Sequence, residues 1–144
     1  MATPRILVVP GGTAINAVAL ANASIHKLVE LYEERQADPN HPAPHTIVFL
    51  RDPALVPPAT LRGSAATPEQ AFPEEDYPGL ADRITNDPHF LDGVDLVIAT
   101  SGSSAGKPRL VGLSTDALIA SAKATELALD GPGRWILALP THHI

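Results

Sequence analysis

Val94-Asp-Leu-Val-Ile-Ala-Thr-Ser-Gly-Ser-Ser-Ala-Gly-Lys-Pro-Arg-Leu-Val111 is the stretch whose reading decides the fold. Its first six residues, Val94 to Ala99, make a short apolar run rich in β-branched side chains, which predicts a buried strand. Small residues follow from Thr100 to Gly106, with hydroxyls at Thr100, Ser101, Ser103 and Ser104 and glycines at Gly102 and Gly106. Lys107, Pro108 and Arg109 close the stretch. Small side chains let main-chain N–H groups approach an anion closely, hydroxyls add donors, and two cations balance charge. The pattern suits a loop that grips phosphate at the end of a strand.

Other readings of the loop are weaker. A Gly/Ser segment is often a flexible linker, but linkers seldom lie directly between an apolar strand and a second apolar segment, here Leu110, Val111 and Leu113. The nucleoside-triphosphate loop G-x-x-x-x-G-K-[ST] fails: Gly102 to Gly106 is one residue short, and Pro108 stands where a magnesium-binding hydroxyl is needed. Gly102-Ser-Ser-Ala-Gly106 fits G-x-S-x-G, the nucleophile elbow, with Ser104 as nucleophile, Asp116 or Asp130 as the acid and His142 or His143 as the base. An elbow needs a helix starting at the serine. Pro108 and the short strand read at Arg109–Leu113 argue against one, so a small α/β serine hydrolase is kept as an alternative.

The loop resembles the signature of the adenylate-forming superfamily of acyl-CoA synthetases and ligases, roughly T-S-G-[ST]-T-G-x-P-K-G-V after a strand. Thr100 to Ser104 matches its opening, and Gly106, Pro108, Arg109 and Val111 resemble its second half. Ala105 lengthens the loop by one residue, Arg109 replaces a lysine and Leu110 a glycine. A second stretch, Arg134-Trp-Ile-Leu-Ala-Leu-Pro-Thr-His-His-Ile144, is similar to the superfamily's next motif, a strand ending in Pro-x-[aromatic or His]-His. Its Leu-Pro-x-His-His-Ile form, with Gly-Pro-Gly-Arg-Trp ahead of it, looks like the o-succinylbenzoate–CoA ligases of menaquinone biosynthesis, of the actinobacterial type.

The resemblance implies a site. Thr100, Ser101, Gly102, Ser103, Ser104, Gly106, Lys107 and Arg109 would bind ATP phosphates, and His143, with His142 beside it, would line the acyl-substrate pocket. It implies ATP with Mg2+, coenzyme A as co-substrate and o-succinylbenzoate as the carboxylate, and it allows a homodimer of the full-length enzyme. Superfamily members run to several hundred residues and place their adenine, magnesium, ribose and catalytic-lysine motifs beyond the position of Ile144. The expectation is therefore an N-terminal fragment, inactive by itself, with no catalytic residue and no metal ligand within it. A non-catalytic nucleotide-binding module is the third reading.

Bulk properties agree with one domain. The chain has 144 residues, 44% hydrophobic and 18% charged, enough for a single core. A net charge of −6 with no basic patch argues against nucleic-acid partners. The absence of cysteine excludes disulfides and thiolate metal sites. No apolar run approaches the ~18 residues of a membrane span, and the N-terminal apolar run is too short for a secretory signal, so a cytoplasmic location is expected.

The 15 prolines divide the chain: two fall in residues 1–35, nine from Pro39 to Pro78. The fold class predicted is α/β, strand–helix–strand units with a mostly parallel sheet. Its parts are an N-terminal strand–helix–strand at 1–50, a Pro-rich irregular excursion at 51–90, and a strand–loop–strand–helix–strand at 91–144, together one incomplete adenylation domain. Arg5–Val9 reads as a strand and Ala14–Gln36 as a helix, with Ile15, Val18, Leu20, Ala21, Ile25, Leu28, Val29 and Tyr32 at helical spacing. Gly11-Gly12 between them is a turn, with anion binding as the less favoured option. Thr46–Leu50 is the next strand, parallel to the first.

Within the excursion one helical turn is expected at Pro68-Glu-Gln-Ala71 and a short helix at Gly79–Ile84. Glu69, Glu74, Glu75 and Asp76 read as solvated surface. His26 reads as a packed or surface imidazole near the helix's apolar face, and His41, His45 and His89 lie among prolines without metal-ligand spacing. Ser114-Thr-Asp116 starts a helix that Gly131-Pro-Gly133 ends, with Leu118, Ala122, Thr125 and Leu129 on one face. Trp135–Leu139 is expected to be a core strand.

Overall fold

The computed structural model describes residues 4–40, 45–55, 65–100 and 109–142. Strands β1 (Arg5–Pro10), β2 (Thr46–Arg51) and β3 (Leu96–Ala99) run parallel, and β4 (Leu110–Leu113) pairs antiparallel with β3, giving the order β1-β2-β3-β4. The α/β class and the mostly parallel sheet expected from the sequence are present. Every residue of β2 is buried, as a central strand covered on both faces requires.

Helix α1 (Ile15–Ala37) and helix α4 (Thr115–Ala128) cover one face of the sheet. There Val9, Val48, Leu50, Leu96 and Ile98 pack with Ala21 and Leu28 of α1, and Leu118 of α4 leans on them. The other face belongs to the excursion. Ala66 bridges antiparallel to Ile6, Thr67 caps helix α2 (Pro68–Ala71) with a capping box closed by Gln70, and helix α3 runs Leu80–Asn86. Phe72 stacks on Phe49 at 5.0 Å between ring centroids, and Tyr77 sits edge-on to both rings.

Three expectations are corrected. The excursion expected to be irregular supplies core: Ala66, Ala71, Phe72, Tyr77 and Ile84 form half of one core cluster. Its aromatics are spaced irregularly, so no period reveals them. Helix α4 forms where expected, with Ser114 Oγ accepting from the Ala117 amide, but Ala122 and Leu129 stay exposed and Leu118 is half-buried. Residues 132–138 are not a strand: Trp135 and Ile136 are 68% and 92% exposed, and Leu137 and Leu139 also face solvent. Strand composition makes a strand only when a neighbour supplies hydrogen bonds.

Candidate functional site

Three parallel strands end together, so their carboxyl ends bring Gly11-Gly12, Arg51-Asp52 and Thr100 to one rim. In open α/β sheets that rim is where ligands bind. The Gly11 amide donates to the Arg51 carbonyl at 2.8 Å, extending the β1–β2 ladder one residue past Pro10.

Thr100 and Arg109 close the mouth of the predicted loop. The Thr100 amide donates to the Arg109 carbonyl at 2.7 Å, and the Arg109 amide donates to Thr100 Oγ1 at 3.0 Å. These two bonds continue the antiparallel β3–β4 pairing one residue past Ala99 and Leu110. Ser101, Gly102, Ser103, Ser104, Gly106 and Lys107 lie outside the described residues, as does His143. Arg109 is exposed and Thr100 half-buried.

His142 reaches the same rim from the other side. The Thr141 amide donates to the Gly12 carbonyl at 3.2 Å, and the Gly12 amide donates to Thr141 Oγ1 at 3.1 Å. The His142 side chain lies so close over Gly11 that a Cβ built there would meet His142 Cβ at 2.4 Å. Gly12 has φ +135°, a conformation that only glycine adopts without strain. The Gly11-Gly12 pair is thus the turn that was favoured, and it also docks the second motif. Two strand spacings, about 10 Å, separate β1, whose end carries Gly11-Gly12, from β3, whose end carries Thr100.

The nucleophile elbow loses its context. The chain beyond the loop returns as an antiparallel strand, not a helix. Asp116 lies past the far end of β4, roughly 13 Å of strand from the rim. There it accepts a hydrogen bond from Tyr32, which holds that phenol above its ordinary range. Asp130 follows α4 with φ 59°.

Sequence reasoning missed three residues. Arg51 was placed outside β2, yet it is the strand's last residue and is buried. Thr141 was passed over as the variable position of its motif. Asp95, an acid inside an apolar run, is buried at the amino ends of the strands. Its Oδ2 accepts from the Thr115 amide at 2.8 Å, and its Oδ1 lies 3.5 Å from Arg35 and 3.8 Å from His45. His45 Nε2 also meets the Val94 carbonyl at 2.8 Å. These groups line a polar cleft of about 340 Å³ with Tyr32, Ser114 and Asp116. Its buried acid, Asp95, ties the start of α4 to the start of β3 and acts as a clamp between layers.

Among the described residues, no group of three or more His, Asp or Glu side chains could hold a metal ion. No helix among them is long and apolar enough to cross a membrane.

No family model and no solved structure matches the chain. Two curated proteins do, both described as "Probable 2-succinylbenzoate–CoA ligase", from Mycobacterium tuberculosis strains CDC 1551 / Oshkosh and ATCC 25618 / H37Rv. Each is 49% identical over 53 residues, which is 37% of this chain and 14% of the relative's length. Over that short segment the chain is similar to an acid–CoA ligase, and the likeness suggests a ligase-like origin.

Proposed function

We propose that the chain carries the phosphate-gripping part of an ATP-dependent acid–CoA ligase, with o-succinylbenzoate as the acid. The observation that carries this reading is the rim: the β3–β4 mouth closed by Thr100 and Arg109, and the Thr141-His142 segment docked on Gly11-Gly12 at the end of β1, a strand that lies about 10 Å from β3 across β2. That spacing leaves room for a carboxylate near His142 and His143 and for a polyphosphate at the loop. The likeness to the mycobacterial ligases supports it.

In this reading the carboxylate oxygen attacks the α-phosphorus of ATP, which accompanies Mg2+, and pyrophosphate leaves in line. The coenzyme A sulfur then attacks the acyl carbonyl, and AMP departs. Amides and hydroxyls of Ser101 to Gly106, with Lys107 and Arg109, hold the β,γ-phosphates and spread the leaving charge. The serines donate hydrogen bonds and are not nucleophiles. The 144 residues alone bind nucleotide without turning it over.

Calorimetric titration with MgATP tests this. Binding is expected in the native chain, lost in Gly102→Val, weakened a few-fold in Ser104→Ala, and no pyrophosphate accumulates. Equal binding by Gly102→Val, or labelling of Ser104 by a fluorophosphonate, would overturn it.

A further inference from the structure

Arg51 brings to the rim hydrogen-bond donors that the described residues do not use up. It ends β2 opposite Pro10 of β1 and, one residue beyond the Leu50–Ile98 pair, stands beside Ala99 of β3. Its side chain is 3% exposed. The guanidinium carbon lies 5.9 Å from the Phe49 ring centroid and 5.7 Å from that of Tyr77. Nη2 donates to Asp76 Oδ2 at 2.6 Å. Nε and Nη1 are buried and have no hydrogen-bond partner among the described residues.

A buried guanidinium is costly unless its donors are met, and one monodentate carboxylate meets only part of its fork. Unmet buried donors are rare enough in native folds to need a cause. A residue kept only to pin the Pro73–Tyr77 turn to the sheet would not need them. Their place suggests what does: Ala99 leads directly into Thr100, where the hairpin loop opens, and the Arg51 carbonyl holds Gly11 beside His142.

We propose that Arg51 is an oxyanion-binding residue of the rim, its unpaired Nε–H and Nη1–H groups taking phosphoryl or carboxylate oxygens of a ligand seated across the ends of β1 to β3. The assignment rests on the phosphate reading above and adds a recognition group to it. The planar fork suits bidentate contact with such oxygens, and the flanking rings keep water out, which strengthens the contact. Asp76, with 39% of its side chain exposed, is the internal competitor. It neutralises the guanidinium in the free protein through Nη2 and so competes with the ligand for its charge.

Pyrophosphate and o-succinylbenzoate, titrated separately by calorimetry, are the probes, and thermal midpoints are read alongside. Arg51→Met is expected to weaken the recognised anion roughly 10- to 100-fold, the scale of a lost charge-assisted pair. Arg51→Lys keeps the charge without the fork and falls between. Asp76→Asn removes the competitor and is expected to tighten binding several-fold. Loss confined to pyrophosphate assigns Arg51 to the phosphates, and loss confined to o-succinylbenzoate assigns it to the acid. Lower midpoints in Arg51→Met and Asp76→Asn with unchanged affinities would make the pair merely structural and sink the inference. No binding of either anion by the native chain would sink it too. The phosphate reading is judged separately, by MgATP and Gly102→Val.

Discussion

Replacing Gly11 by alanine tests whether the two sequence motifs meet in the folded chain. The added Cβ would lie 2.4 Å from His142 Cβ, 2.5 Å from Nδ1 and 2.7 Å from Cγ. Unstrained carbon contacts need ~3.5–4.0 Å, so one side must withdraw by about 1 Å or more. Gly11 cannot, because its amide is held by the Arg51 carbonyl at 2.8 Å within the sheet. The 140–142 segment gives way, and with it the two bonds joining Thr141 to Gly12, at 3.2 and 3.1 Å. At ~0.5–1.5 kcal/mol each, the docking weakens by about 1–3 kcal/mol, roughly 5- to 150-fold in the docked-to-open ratio. Global stability should change little, since Trp135, Ile136, Leu137 and Leu139 are already exposed. Hydrogen exchange read by mass spectrometry on peptides covering 134–142 measures the effect directly. Faster exchange there, with β2 unchanged, is the expected result. Native-like protection of the Thr141 and Gly12 amides in Gly11→Ala would refute the docking geometry and remove His142 from the rim.

Further outcomes follow from other parts of the fold. Asp95→Ala leaves the Thr115 amide without its acceptor and Arg35 and His45 without their neighbouring carboxylate and should cost about 2–4 kcal/mol in urea unfolding, with Asp95→Asn recovering part of it. A loss under about 1 kcal/mol would show that the layers do not depend on that clamp. Burial pushes the Tyr77 phenol above 10.0, although Arg51 opposes it. The folded chain therefore keeps that proton longer than the unfolded one, and the stability it contributes is present below pH 10.0 and lost as pH rises through the folded value. Tyr77→Phe should flatten the alkaline fall in thermal midpoint, and an unchanged slope would assign that fall to other groups.

Local signals carried much of the architecture. Arg5–Val9 and Thr46–Leu50 announced their strands within a residue, because apolar β-branched runs bounded by turn residues have few other uses. Thr67 and Gln70 closed a capping box around the helical turn expected at Pro68–Ala71, an interaction only three residues long. Ser114 capped its helix for the same reason. The strand–loop–strand at Thr100–Arg109 was legible because its closing bonds lie nine residues apart.

What the residue string could not carry was every contact made across long separations. Trp135–Leu139 has strand composition, yet no strand among the described residues pairs with it, and its apolar side chains face solvent. Ala66, Phe72 and Tyr77 show no period, yet the sheet's second face needed covering and they were the apolar groups within reach. Arg51 lay outside the strand read at Thr46–Leu50, and only the fold placed Phe49, Tyr77 and Asp76 around it. From sequence alone came the strands, the helices and the two motifs. The tertiary structure decided that Gly12 and Thr141, 129 residues apart, touch, and that a buried arginine lies between the motifs. Hydrogen bonds within a turn are set by neighbouring residues, whereas a shared rim exists only once distant strands have been laid side by side.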